Sequence, residues 1–173
     1  MTQGVALAVT GTTTVTTSAD DATITLNTST NAFTGAVTLT TNDGDGTAAN
    51  VTIDGGTTAL VIAASTVDGD LTLTSGNVAG ITDTGTLTIG GNLSATTDVN
   101  NKAITFGTLA VDGTIAVTTN GSTGHVTLVN DAGLAFAAST VDGNLAATAT
   151  AGNITDGDAL TISGTSAFTT STT

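Results

Sequence analysis

Apolar and polar residues alternate along most of this chain. Runs such as Val5-Ala6-Leu7-Ala8-Val9 and Val51-Thr52-Ile53 place aliphatic side chains at every second position, usually with Thr or Ala between them. A period of two is typical of β-strands that bury one face. The same pattern recurs at Ile24 and Leu26, Val37 and Leu39, Leu71 and Leu73, Leu87 and Ile89, Ile104 and Phe106, Leu109 and Val111, Ile115 and Val117, Val126 and Leu128, Leu134 and Phe136, and Leu160 and Ile162. No stretch has a 3.6-residue period, so the pattern predicts an all-β chain without helices.

A glycine-centred motif recurs with these strands. It consists of an apolar residue, any residue, Gly, any residue and usually a second apolar residue. Its copies are Val67 to Leu71, Ile89 to Leu93, Val111 to Ile115 and Val141 to Leu145, with a degraded copy from Ile162 to Ser166. The glycines of the first three copies are 22 residues apart, which is typical of one coil of a parallel β-helix.

Longer segments are also repeated. The sequence AASTVDG begins at Ala63 and again at Ala137, GITDTGTLTIGGNLSATT (80–97) resembles NITDGDALTISGTSAFTT (153–170), and AVTLTTN (36–42) resembles TIAVTTN (114–120). A unit that stacks on copies of itself has reason to recur. We therefore predict one β-solenoid domain over residues 1–173, of about seven to eight coils of roughly 22 residues. It contains two related units of about 75 residues, approximately 32–106 and 107–173. An antiparallel sandwich of the immunoglobulin style is the alternative, which this spacing and the missing Trp disfavour.

Composition narrows the possible partners. The 173 residues include four Phe, 22 Gly and no Trp, Tyr, Pro or Cys, so the core must be built from small aliphatic side chains. The chain has 14 acidic residues, all Asp, and a single basic residue, Lys102, which gives a formal charge of −13. Nucleic acid and anionic membranes need clustered basic residues, so we expect neither as a partner. The start, MTQGVALAVTG, has no basic segment and no long apolar run, which predicts neither a signal peptide nor a membrane span.

Three segments resemble the repeat regions of large bacterial surface exoproteins, the filamentous-haemagglutinin-like and autotransporter-type adhesins. The segments are GNLSATT, GNITDGDALTISGTSAFTT and TVDGNLAATATAGNITDG. The resemblance covers most of Val51 to Thr173. It implies a right-handed parallel β-helix at the bacterial cell surface, outside the cell, that serves as a shaft, adhesin or fibre. The amino-terminal secretion signature of that family is not visible in this sequence.

Few residues point to chemistry. His125 is the only histidine, and nothing near it suggests a nucleophile, so a surface histidine is the favoured interpretation. Polysaccharide-cleaving β-helices combine carboxylates with basic and aromatic residues; since this chain has no Arg, Trp or Tyr, we do not expect an enzyme, and calcium is the one cofactor that the sequence suggests. The segment 42–47 is rich in oxygen ligands, and Asp43 and Asp45 are candidate calcium ligands. Because EF-hand spacing is absent, solvated turn carboxylates are favoured there; Asp68 with Asp70 and Asp156 with Asp158 are weaker calcium candidates of the same type.

The expected partner is the chain itself, in a head-to-tail or lateral homopolymer, because exposed end coils present unpaired strand edges. Surface glycans are a further expected partner. The alternative function is a carbohydrate- or ice-binding solenoid that uses rows of Thr, although the Thr-x-Thr pairs fall irregularly along the sequence. We also expect Asn92 and Asn144, at equivalent turns, to hydrogen-bond along one ladder.

Overall fold

A computed structural model describes residues 1–44, 48–76 and 79–171. These residues form short strands joined by turns, with no helix among them and therefore none long and apolar enough to cross a membrane. The strands are β1 Ala8–Val9, β2 Thr13–Thr16, β3 Ile24–Leu26, β4 Ala32–Phe33, β5 Val37–Thr40, β6 Val51–Asp54, β7 Leu60–Ile62, β8 Ser65–Val67, β9 Leu71–Ser75, β10 Ile81–Asp83, β11 Leu87–Ile89, β12 Leu93–Thr97, β13 Ile104–Val111, β14 Thr114–Thr119, β15 Val126–Asn130, β16 Leu134–Phe136, β17 Ser139–Val141, β18 Leu145–Ala149, β19 Ile154–Asp156, β20 Leu160–Ile162 and β21 Ser166–Thr170.

Strands of successive coils pair in parallel and stack as a β-solenoid of about seven turns, with equivalent strands about 22 residues apart. One large sheet runs through β9, β12 and β14, and a second runs through β13, β15, β18 and β21. Register follows the alternation seen in the sequence: Leu71 lies opposite Leu93, and Leu93 lies opposite Ile115. The predicted fold is thus confirmed, and parallel stacking explains why similar segments recur.

Aliphatic side chains fill the inside of the coils. The inward apolar side chains of the interior strands are buried, and together they form one continuous core from Val15 to Ala149. Phe33, Phe106 and Phe136 are the largest fully buried side chains. Alternation therefore divides each strand into a core face and an outer face, and the outer face is where Thr accumulates.

The coil changes its alignment near the middle of the chain. The register between β13 and β15 shifts between Phe106 and Leu109, and β14 pairs with β16 at its start and with β17 at its end. Strands β9 and β18 have equivalent places in the sequence repeat, yet they lie in different sheets. Strand β9 pairs with β6 and β12, whereas β18 pairs with β15 and β21. The second half is thus turned around the solenoid axis relative to the first. The predicted division into units 32–106 and 107–173 stays a prediction.

Candidate functional site

The repeated sequence AASTVDG makes the same contacts in both places. Ser65 and Ser139 are buried, and each hydroxyl donates to the carbonyl oxygen two residues earlier, at 2.7 and 2.8 Å. Each hydroxyl oxygen also accepts a backbone N–H from the preceding coil, that of Leu39 at 3.0 Å or Val117 at 3.1 Å. A buried N–H without a partner is costly, so this serine is needed wherever the corner recurs.

The aspartate of the same motif also binds the preceding coil. The Asp68 carboxylate accepts the N–H of Asp43 at 3.0 Å, and the Asp142 carboxylate accepts the N–H of Gly121 at 2.9 Å. Both copies of AASTVDG therefore join one coil to the one before it. Asp68, which the sequence suggested as a cation ligand, has a structural contact here.

A ladder of side-chain hydrogen bonds follows the corner next to the repeated glycines. Oxygen Oδ1 of Asn50 accepts the N–H of Asp70 at 2.7 Å, Oδ1 of Asp70 accepts the N–H of Asn92 at 2.7 Å, and Oδ1 of Asn92 accepts the N–H of Thr114 at 2.8 Å. Each bond connects one coil to the next. The corner thus tolerates Asn or Asp because either supplies the accepting oxygen.

The prediction that Asn92 and Asn144 belong to one ladder is wrong. Asn144 lies in a separate ladder, where its N–H is donated to Nδ1 of His125 at 2.9 Å and its Oδ1 accepts the N–H of Thr165 at 2.9 Å. The physical reason is the turn of the second half around the axis, which moves the equivalent corner to another side. His125 is exposed, as expected, and its hydrogen bond to the next coil was not predicted.

Three carboxylates meet at one exposed corner near the start of the solenoid. Ligand oxygens of Asp20, Asp21 and Asp43 all lie within 4.8 Å of one another. The backbone fixes two of them, since Asp20 accepts the N–H of Gly44 and Asp43 accepts the N–H of Ala48 at 2.8 Å. The structure thus brings the candidate Asp43 together with two residues one coil earlier. The other candidate, Asp45, lies outside the described residues.

Hard carboxylate oxygens on turns are the ligands that calcium favours, although Ca²⁺ takes six to eight oxygens in all. Asp156 and Asp158, the remaining candidate pair, lie at the far end of the solenoid, away from this cluster. Proximity of like charges alone does not identify a cation site, because exposed acidic groups often cluster without one. Calcium at Asp43 stays a prediction.

Thr side chains form rows on the outer faces of the sheets. Parallel register aligns one row of five threonines across successive strands, and a second row of four on the other sheet. The rows are Thr74, Thr96, Thr118, Thr140 and Thr161, and Thr16, Thr40, Thr66 and Thr88. The sequence analysis noted irregular Thr-x-Thr pairs and did not predict these single rows. A second threonine row does not run beside the whole of the first one, because the neighbouring row passes from Thr72 to Ser94 to Ala116.

The first row continues at one end into an acidic residue. Asp54 lies opposite Thr74, and its Oδ1 accepts the N–H of Gly56 at 2.7 Å. Burial raises the pKa of Asp54, the hydrogen bond from Gly56 lowers it, and the negative charge of Asp98 raises it further. The row is therefore uncharged through its threonines and becomes acidic only at this edge.

Among the residues that the structure describes, none covers the outer side of the last coil, residues 153–170. We call these residues the end coil. Its apolar side chains are partly or largely exposed, and Phe168 is 48% exposed even though its ring packs edge-on against Phe136, with centroids 6.3 Å apart. A cavity of about 450 Å³ opens here, lined by Phe136, Ile154, Thr155, Asp156, Leu160, Ile162 and Phe168. The solenoid core thus reaches the surface at this end.

Comparison with known proteins gives a family match. The family described as "Repeats of unknown function (DUF5649)" matches residues 1–40, 48–100 and 123–173. Neither the curated proteins nor the solved structures contain a match to this sequence. The family match covers most of the chain and agrees with the repeated coils of the fold. The chain belongs to this family of repeats of unknown function.

Proposed function

We propose that this chain is a structural protein outside the bacterial cell, a segment of a shaft, fibre or surface layer that associates with copies of itself and presents its outer surface. The resemblance to filamentous-haemagglutinin-like and autotransporter-type exoproteins supports this setting. The composition supports a role without catalysis, since Arg, Cys, Trp and Tyr are absent and one His is present. Surface glycans are the proposed further partner of such a surface.

The observation that carries this proposal is the end coil, which no other described residues cover on its outer side. The unpaired edges of β19, β20 and β21 can accept parallel strands, and the exposed core lies between them. Residues at the equivalent positions inside the solenoid, such as Leu87 and Ile89, are 0% exposed because another coil covers them. Covering an exposed apolar side chain of this size contributes about 1.5–3 kcal/mol. A contact in which the end coil of one copy meets a different surface of the next copy repeats without closing and produces a filament.

Self-association is expected to depend on the core face of the end coil. In sedimentation velocity experiments over a range of protein concentrations, we expect the chain to form species larger than a monomer as concentration rises. The variant Leu160→Asp places a charge in the contact and should remain monomeric, because burying an unpaired carboxylate is costly.

The matched control is Thr161→Asp, which adds the same charge to the neighbouring outward position. It should associate like the original chain. Thermal unfolding of both variants checks that the rest of the solenoid is folded. A chain that stays monomeric at all concentrations, or association that survives Leu160→Asp in a folded protein, contradicts the proposal.

The Thr rows favour a second candidate function, the binding of ice or carbohydrate on an outer face. Hydroxyl groups repeated at the strand spacing of about 4.8 Å present a regular, uncharged surface. This function predicts inhibition of ice recrystallisation, or binding to a glycan array, that is lost in the double variant Thr96→Val and Thr118→Val. The control Thr123→Val changes an exposed threonine outside the rows. Equal signals from both variants, or no signal from the original chain, contradict this second function.

A further inference from the structure

We propose that the end coil of one molecule is covered by residues 1–18 of a second copy, here called the first coil. In this junction the first coil pairs with the end coil in the same register in which residues 103–120 pair with residues 80–97 inside the solenoid. This inference rests on the proposed self-association and specifies which surfaces meet. It follows from two internal repeats, one at each end of the chain, together with the contacts made at the interior junction.

The end coil has the same sequence pattern as an interior coil. Residues 153–170 (NITDGDALTISGTSAFTT) resemble residues 80–97 (GITDTGTLTIGGNLSATT), so Ile154, Leu160 and Ile162 correspond to Ile81, Leu87 and Ile89. Strands in the two coils begin and end at the corresponding places. In the interior coil all three of these residues are 0% exposed, beneath residues 103–120. The end coil therefore presents the surface that a coil of the 103–120 type covers.

The first coil is of that type. Residues 7–18 read LAVTGTTTVTTS, and residues 109–120 read LAVDGTIAVTTN. The correspondence places Leu7 and Val9, which are only partly buried, at the positions of the buried Leu109 and Val111. Strand β2 takes the place of β14. The end coil and the first coil thus correspond to the two halves of a junction that the solenoid already forms internally.

The interior register predicts the contacts between the copies. Leu87 lies opposite Leu109, Ile89 opposite Val111, and Ala95 opposite Val117. By correspondence, Leu160 and Ile162 of one copy lie opposite Leu7 and Val9 of the next. Phe168 lies opposite Val15. All of these pairs are apolar and point into the core, so the junction continues the core between molecules.

A carboxylate also has a defined role at this junction. Inside the solenoid, Asp83 accepts the N–H groups of Gly107 at 2.9 Å and Thr108 at 2.8 Å from the covering coil. Asp156 occupies the corresponding position in the end coil and is exposed. In the proposed junction it accepts the N–H groups of Val5 and Ala6 in the second copy. A carboxylate that accepts two backbone N–H groups fixes register as well as direction.

The large aromatic side chain lies in the covering coil at the interior junction and in the end coil at the proposed junction. At the interior junction the lower coil has the small Ala95 and the covering coil has the large Phe106, and both are fully buried. At the proposed junction the end coil has Phe168, and the first coil has Gly4 where Phe106 would be. A β-carbon at Gly4 would have no atom within 4 Å, so this position is open. The large ring thus sits on the opposite side of the junction, which keeps the total bulk similar.

Introduced cysteines test the register directly, because the natural chain has none. Thr88 and Ala110 are opposite residues on the outer face of the interior junction, and their counterparts are Thr161 and Ala8. Parallel neighbours are about 4.8 Å apart, within the Cα separation that a disulfide spans. Mixing the Thr161→Cys protein with the Ala8→Cys protein under oxidising conditions should yield the mixed covalent dimer as the main product.

Two controls accompany this test. Ala6→Cys moves the cysteine by two residues along the same face, to roughly 8 Å from its partner, and should lose the cross-link to Thr161→Cys. A single chain with both Thr88→Cys and Ala110→Cys should close an internal disulfide and give no covalent dimer, which verifies the geometry at the interior junction.

The outcomes separate this inference from the proposed function. Association seen by sedimentation with no cross-link between positions 8 and 161, or with products dominated by dimers of one variant with itself, overturns the inferred register while self-association stands. A chain that neither associates nor cross-links overturns both. Equal cross-linking of Ala8→Cys and Ala6→Cys also overturns the register.

Discussion

Replacing Phe106 by Ala is expected to lower the free energy of unfolding by about 3–5 kcal/mol, the cost of removing a fully buried aromatic side chain. Phe106 is 0% exposed and lies in the strand where the register shifts, between coils on both sides. Since the core has three Phe, Phe33, Phe106 and Phe136, and the chain has no Trp or Tyr, small side chains cannot move to fill a space of that size. Urea unfolding followed by circular dichroism measures the loss.

The matched control is Phe168→Ala, at a side chain that is 48% exposed in the end coil. At concentrations where the protein is monomeric, this variant should lose roughly 1 kcal/mol, because much of the ring already contacts water. A similar loss for both variants contradicts the core described here, in which the inner strands are covered on both sides and the end coil is not.

The second large effect is expected from Gly91→Ala, at about 2–3 kcal/mol of destabilisation. Gly91 donates its N–H to the carbonyl oxygen of Gly69 at 3.1 Å and accepts the N–H of Gly113 at 3.1 Å. A β-carbon at Gly91 would lie 2.8 Å from the carbonyl carbon of Gly69 and 2.4 Å from Oδ1 of Asp70. The coils would have to separate at this corner and would strain the ladder that Asp70 and Asn92 form.

Gly107→Ala is the control, because a β-carbon there would meet only Oδ1 of Asp83, at 3.8 Å. The N–H that Gly107 donates to Asp83 is retained in alanine. This variant should change the urea midpoint little. A tolerated Gly91→Ala, with the midpoint of the original chain, contradicts the close stacking of the glycine column.

Much of the fold could be predicted from the sequence because each coil obeys local rules. Alternation fixes which side chains of a strand such as Leu71–Ser75 face the core, and the spacing of Gly69, Gly91 and Gly113 gives the length of a coil. The two copies of AASTVDG could be assigned to equivalent corners for the same reason. The contacts that the Ser and Asp of this motif make with the preceding coil could not be predicted, because these contacts depend on which residue lies one coil earlier.

The remaining features depend on how coils align over longer distances. Asp20 and Asp21 join Asp43 only because about one coil separates them, and variable turn lengths hide that distance in the sequence. Counting back one coil from Asp43 would have indicated the pair. The shift of register after Phe106 turns the second half around the axis, and it separates Asn144 from the ladder of Asn92. No local pattern marks that turn, since it results from how β14 is shared by two later strands.

The most direct test of self-association through the ends is negative-stain electron microscopy of the purified chain, at the concentrations where sedimentation detects large species. The account predicts unbranched filaments with the width of a single solenoid, lengthening with concentration and absent from Leu160→Asp. Isolated short rods at every concentration, or bundles that form equally well with Leu160→Asp, would contradict it.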